Sequence, residues 1–318
     1  MFNSNLDPVR SKTAIYDGRR RFLGRRDLVI SFYTMKCQFQ CTYCALPLQS
    51  ANLPVTAEDL DAQINEVFDR RADALSALQQ ISFGNEGSVF DRVRFHQSSL
   101  ELLLERTAEA PRLEVLSIET RPEYINADKL EHVRRRTRAR VLDVTVGFET
   151  QDDELRQGLM NKSISRRNME KRIALLGESG VRLTAYVMVK PGPRMTEAQG
   201  VAEAVATMDY LAEQTARHGV DLVIYLTPNY VAEGSTLART VRREDYLPPT
   251  IQSILEVVLA GHGMGLPVYS GLWSEGLADE AGDFRGREGY DPAMRDALLA
   301  VNRTDNRAAL VGLYAPAL

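Results

Sequence analysis

Cysteine is almost missing from this chain: 318 residues carry three. A secreted scaffold held by disulfides would spread an even number along its length, so that class is excluded. Long hydrophobic runs are missing too. No apolar stretch approaches the roughly 18–20 residues that a membrane span requires, and the opening MFNSNLDPVRSKTAIYDGRRR has no apolar signal-peptide core. These absences predict a soluble, cytoplasmic protein with no membrane partner. Excess positive charge is also lacking. With 39 basic and 43 acidic residues, the net charge is −4, which leaves no global basic field to hold nucleic acid nonspecifically. Repeats and low-complexity tracts are absent, while 44% hydrophobic residues supply a core for one large or two modest domains.

What is present is an alternation. Short β-rich runs occur at 27–35 (DLVISFYTM), 79–83 (QQISF), 114–119 (EVLSIE), 141–148 (VLDVTVGF), 182–189 (RLTAYVMV) and 221–226 (DLVIYL). Each is apolar nearly throughout, the pattern of strands covered on both faces of a parallel sheet. Between them the spacing predicts helices over 56–73, 98–109, 126–136, 165–179 and 196–216, the first with Thr56 as its N-cap. Six such alternations predict an α/β fold, a partial (β/α)6 TIM-like barrel over 27–230 after an N-terminal extension over 1–26. Past about Thr227 the pattern loosens, and 231–318, with a helix near 251–260, is read as a region that closes or caps the barrel. In such barrels the chemistry sits at the C-terminal ends of the strands.

The three cysteines, Cys37, Cys41 and Cys44, lie in CQFQCTYC, directly after the first predicted strand. Three thiols within eight residues are a ligand set or a redox site. A cubane [4Fe–4S] cluster suits a short loop that wraps three thiolates around one corner; with no fourth cysteine, one iron would stay open to a non-protein ligand. Structural zinc is the alternative. It wants four protein ligands, and the histidines, His96, His132, His218 and His262, are all distant in sequence.

This spacing, with Tyr43 just before the last cysteine, resembles the signature of the radical S-adenosylmethionine (SAM) superfamily. The resemblance implies a radical SAM barrel with Cys37, Cys41 and Cys44 as cluster ligands and Tyr43 packed near the adenine. It also implies SAM on the open iron and an external one-electron donor of the flavodoxin or ferredoxin type. IETRPEYI, VGFET, MNKS and AYVMVKPGP further resemble the branch containing the elongator catalytic subunit and the radical partner of archaeosine synthase, over about 31–211. Elongator-type proteins add an acetyltransferase domain, which is not expected here. Nor is an auxiliary cluster, for want of further cysteines.

Polar residues at the other strand ends are the remaining site candidates. Gly84 and Gly87 permit close backbone approach to a ligand, and Glu86 between them offers a carboxylate to an ammonium. In the superfamily a GGE-like segment here holds the methionine amino group; Asn85 replaces its second glycine, so the match is partial. Glu119 and Arg121 are costly to bury at a strand end unless paired or ligand-bound. The resemblance places Glu119, Arg121, Glu149 and Lys190 along the cofactor and substrate cavity, with Glu149 on the ribose hydroxyls. Lys190 suits a carboxylate of SAM or of the substrate; its alternative is a surface lysine.

For the substrate, two readings stand. Arg19, Arg20 and Arg21 with Arg25 and Arg26, and Arg134, Arg135 and Arg136 with Arg138 and Arg140, suit RNA phosphates, and tRNA is the substrate of the family neighbours. In a chain with 33 Arg and 6 Lys these are equally solvated helix faces. A small nucleoside, nucleotide, sugar or amino-acid-derived metabolite is the preferred substrate class, and a tRNA base the second. A non-enzymatic iron–sulfur electron carrier or redox sensor is the third reading.

Overall fold

Strand follows strand in one sheet, in chain order from edge to edge: β1 (Tyr16–Phe22), β2 (Arg25–Phe32), β3 (Gln80–Asn85), β4 (Val115–Glu119), β5 (Val141–Glu149), β6 (Arg182–Val189), β7 (Leu222–Pro228) and β8 (Val268–Ser270). The computed structural model describes residues 10–242 and 245–310. β1 runs antiparallel to β2, and all later neighbours pair in parallel. The helices are α1 (Ala57–Arg70), α2 (Ala72–Leu75), α3 (Gln97–Thr107), α4 (Ala127–Arg136), α5 (Arg166–Glu178), α6 (Glu197–Arg217), α7 (Thr236–Thr240), α8 (Ile251–Gly263) and α9 (Pro292–Thr304). The fold is the α/β partial TIM-like barrel that the alternation predicts. The six predicted strands are β2 to β7. β1 and β8 extend the sheet at its two edges, and neither announces itself: β1 reads YDGRRRF and β8 has three residues.

Local chemistry starts the helices where expected. Thr56 Oγ1 accepts from the Asp59 amide at 3.1 Å. Thr196 and Gln199 form a reciprocal capping box at the head of α6, and Asn126, Ser165 and Thr250 cap α4, α5 and α8.

The strands differ from the apolar-on-both-faces expectation. One column of each strand faces the helices and joins a single contiguous core: Leu28, Ile30 and Phe32 in β2, Leu142, Val144 and Val146 in β5, Leu183, Ala185 and Val187 in β6. The alternate column faces the barrel lumen and is small and polar. The register sets Ser82 beside Ser117 and Ser117 beside Asp143, which pairs with Arg182. Hydrogen bonds among these groups offset much of the cost of burying them. Asp143 Oδ1 accepts from Arg182 Nε at 2.7 Å, and its carboxylate also accepts from Ser117 at 2.6 Å and Thr184 at 2.9 Å. Asp27 accepts from Arg20 at 2.7 Å and Ser82 at 3.0 Å. Two ion pairs thus fill the floor of the barrel.

The edges meet through side chains. Phe22 of β1 stacks on Tyr269 of β8 with centroids 4.5 Å apart, and Tyr16 lies 5.0 Å from Trp273. α9 covers the seam. Its Asn302 brackets the Ser270 backbone (2.8 and 2.7 Å), while the Asn302 carbonyl accepts from Gly24 in the β1–β2 turn at 3.3 Å.

Asp143→Ala should destabilise the fold by about 3–5 kcal/mol, because it strands the buried Arg182 guanidinium. Denaturant unfolding measures this, and a loss below about 1 kcal/mol would contradict the role given to the floor.

Candidate active site

The cysteine loop leaves β2 at the rim formed by the C-terminal strand ends. It has little regular structure beyond a single turn at Leu46–Leu48, so its shape is set by contacts from elsewhere. The segment after β5 supplies most of them. The Thr42 amide donates to Met160 O at 3.0 Å, Thr42 Oγ1 to Leu159 O at 2.9 Å, and Asn161 Nδ2 to Gln40 O at 2.9 Å. From the other side, the Leu237 amide donates to Thr42 O at 2.7 Å. Cys37, Cys41 and Cys44 are free and half-buried. Burial pushes the Cys37 and Cys44 thiols up; Arg121 and Arg94 draw Cys37 back, and Lys162 does the same for Cys44. Among the described residues, no three His, Cys, Asp or Glu side chains converge on a point for a single metal ion. Three free thiols on one short loop fit a cluster as donor set.

Tyr43 turns from this loop towards β5. Lys162 Nζ donates to Glu149 Oε1 at 2.6 Å and to the Tyr43 hydroxyl at 2.6 Å, and that hydroxyl donates to Glu149 Oε1 at 3.2 Å. The three side chains form one closed network, with Lys162 and Glu149 buried and Tyr43 partly so. Glu149 ends β5 with φ 73, left-handed backbone that re-aims its side chain just where the β5–β6 register shifts.

Glu86 follows β3. It is only 4% exposed, and neither carboxylate oxygen has a hydrogen-bond partner among the described residues. Burial, then the neighbouring Glu275, pushes its carboxyl up to about 8. An orphaned buried carboxylate is costly unless a donor completes it, and an ammonium is the donor of matching charge. The residues therefore fit the amino group of SAM. Glu119, at the end of β4, accepts from the Tyr186 hydroxyl at 3.2 Å and is pushed up to about 7 by burial, then Glu275. Gly84 leaves room for it, since a Cβ there would lie 2.9 Å from Glu119 Oε2. Glu275 reaches in from the loop after β8 and accepts from Tyr230 at 3.0 Å. The residue keeps surface exposure, while its desolvated carboxyl is raised.

The predicted residues do not all converge. Cys37, Cys41, Cys44, Tyr43, Glu86, Glu119 and Glu149 share the rim. Arg121 braces the cysteine loop: its guanidinium pairs with Glu123 at 2.9 Å, donates to Lys162 O at 2.8 Å and stacks 3.4 Å above the Phe39 ring. Lys190 turns away from this group. Its ammonium is 2.7 Å from Glu197, the first residue of α6, so the carboxylate it meets is the chain's own. Lys162, Glu275, Tyr186 and Tyr230 were not among the candidates. Lys162 stands in the MNKS stretch and was open to notice; Glu275 lies where the sequence has no periodicity. A surface cleft of about 1110 Å³ is lined by Leu159, Pro193 and Ala202 among others and contains no cysteine.

Against solved structures, methylornithine synthase, a radical SAM enzyme, aligns over 91% of this chain and 85% of its own, with a TM-score of 0.53 and 12% identity. The fold is that of the radical SAM enzymes. SuiB of Streptococcus suis aligns over 78% of this chain and 50% of its own, with a TM-score of 0.51 and 13% identity. By sequence, the chain is 24% identical over 245 residues to an uncharacterised protein of Methanocaldococcus jannaschii, covering 75% of this chain and 65% of that one. It is 22% identical over 237 residues to archaeosine synthase subunit beta of Methanosarcina acetivorans, covering 73% and 66%. The chain thus spans just under two thirds of each of these relatives. No family model matches it. The radical SAM fold supplies the strand-end rim on which the cysteine loop stands.

The raised carboxyls set a pH dependence. A carboxyl whose folded pKa lies above its unfolded value holds an extra proton in the folded state between the two, so stability falls as pH rises through that window. Without ligand, stability should fall between about pH 5 and 8, and Glu86→Gln should flatten the slope and raise the melting temperature at pH 8. Thermal unfolding across that range checks it; an unchanged slope would count against an ionisable, unpaired Glu86.

Proposed function

We propose that this chain is a cytoplasmic radical SAM enzyme that abstracts a hydrogen atom from a small biosynthetic metabolite derived from a nucleoside, nucleotide, sugar or amino acid. The observation that carries this reading is the buried Glu86, without a hydrogen-bond partner among the described residues, on the same rim as three free thiols. In this reading Cys37, Cys41 and Cys44 hold a [4Fe–4S] cluster, Glu86 takes the amino group of SAM, and Glu149 takes the ribose hydroxyls beside Tyr43. When bound and reduced by an external flavodoxin- or ferredoxin-type donor, the cluster supplies the electron that cleaves SAM to methionine and a 5′-deoxyadenosyl radical. The chain's own part is to bind, orient and exclude water: α6 and the other helices shield the outer face of the sheet, and the paired floor closes the lumen beneath the rim.

The placement of the arginines favours a small substrate over a nucleic acid. Arg21, Arg25 and Arg26 lie at the β1–β2 turn. Arg134, Arg135 and Arg136 end α4, where the chain enters β5. Both stretches occupy the N-terminal end of the barrel, away from the cysteine loop by the length of a strand, about 23 Å for seven steps along β2. The second reading, a tRNA-base-modifying enzyme, is favoured by the sequence similarity to archaeosine synthase subunit beta.

Anaerobic reconstitution with iron and sulfide, reduction with dithionite and addition of SAM should yield 5′-deoxyadenosine, read by mass spectrometry. Cys41→Ala should abolish both cluster and product; retention of either removes the assignment. Filter retention of tRNA at rising salt separates the substrate readings. Steeply salt-dependent binding that needs residues of the rim supports the tRNA reading, and its absence supports the metabolite.

A further inference from the structure

Lys162 has no place in the functions assigned so far, yet it is the only cation among the described residues in direct contact with Glu149. It is 8% exposed, and its Nζ sits 2.6 Å from both Glu149 Oε1 and the Tyr43 hydroxyl. Those two groups come from different parts of the fold: Tyr43 directly precedes Cys44, and Glu149 ends β5. The same short segment grips the cysteine loop again through Met160 O, Leu159 O and Asn161 Nδ2. Space for the network is reserved at Gly147, where a Cβ would lie 2.7 Å from Lys162 Nζ and 2.8 Å from Glu149 Oε1. A buried ammonium with two oxygen partners fixes both in distance and direction, since charge-assisted bonds in a dry site resist exchange with water.

We infer that Lys162 is a positioning residue that locks the cysteine loop, through Tyr43, to the carboxylate of Glu149, so that cluster and ribose site are held at one separation. The inference rests on the radical SAM reading given above. Lys162 needs no contact with the reacting atoms; it acts through Tyr43 and Glu149. Its loss leaves the three thiols in place but leaves Tyr43 held to Glu149 by the single 3.2 Å hydroxyl bond alone, and leaves Glu149 without a counter-charge.

The test is equilibrium binding of SAM to anaerobically reconstituted wild type, Lys162→Met, Lys162→Arg and Gly147→Ala. Iron content and the electron paramagnetic resonance spectrum of the reduced cluster, with and without SAM, are read alongside. Lys162→Met should keep its iron and bind SAM about tenfold or more weakly, the size expected for losing a charge-assisted bond. It should also lose much of the spectral change that SAM induces. Lys162→Arg should recover part of the affinity. Gly147→Ala should reproduce the defect without removing a charge, which separates misplacement from a change of net charge. Wild-type affinity in both Lys162→Met and Gly147→Ala, with iron intact, would overturn the inference. So would loss of iron in Lys162→Met as complete as in Cys41→Ala, since Lys162 would then be building the loop rather than positioning it. Failure of the wild type to bind SAM would instead overturn the radical SAM reading, and the inference with it.

Discussion

Parallel pairing of β2 to β8 in chain order is the constraint on which the rest of the molecule depends. Parallel neighbours require a crossover after each strand, so every strand points the same way and every loop that follows a strand opens at one rim. Cys37, Glu86, Glu119, Glu149 and Glu275 are spread over more than two thirds of the chain. They share that rim for this one reason. The crossovers also cover the outer face, so hydrophobic burial is concentrated in the helix-facing column of each strand. The lumen-facing column is thereby released from making the core and can carry serine, threonine, glycine and charge.

The two ends of the lumen treat charge in opposite ways. At the floor, Asp27 and Asp143 are fully buried, and each is matched by an arginine and by hydroxyl donors. At the rim, among the described residues, Glu86 has no hydrogen-bond partner and Glu119 has only a phenol, and burial, then Glu275, pushes both carboxyls up. Groups left short of partners cost stability in the folded chain, and such costs are tolerated where a ligand repays them on binding. Glu149 stands between the two cases: it is buried and paired, but paired to Lys162 in a network that also holds the cysteine loop.

Closure of the barrel follows a different logic from its walls. β1 and β8 are the edges of the sheet, and unpaired edges invite association with other strands. Here aromatic stacking of Phe22 on Tyr269 and the bracket of Asn302 on Ser270 cover the seam. The same β1 carries arginines to the end of the barrel remote from the rim. An arginine run that reads in sequence as a nucleic-acid contact is therefore a neighbour of the floor, with Arg20 bound to Asp27.

Much of this was legible in the sequence because it depends on local order. Hydrophobic runs and caps such as Thr56 fix strands and helices to within a few residues, since periodicity and capping act over one or two turns. The cysteine motif was legible for the same reason: its three thiols lie within eight residues of one loop. What tertiary structure alone decided concerns distant partners. Lys190 and Lys162 both follow strands and look alike in sequence, yet Lys190 meets Glu197 and Lys162 meets Glu149 and Tyr43. No local pattern distinguishes them, because the difference lies in what faces each ammonium across the fold. Glu275 was hidden in an aperiodic stretch, and β1 and β8 were too polar or too short to read as strands. Their places are set by the edges they complete: sequence alone determined β2 to β7, the helices between them and the cysteine loop, and tertiary packing decided which charges found partners and which did not.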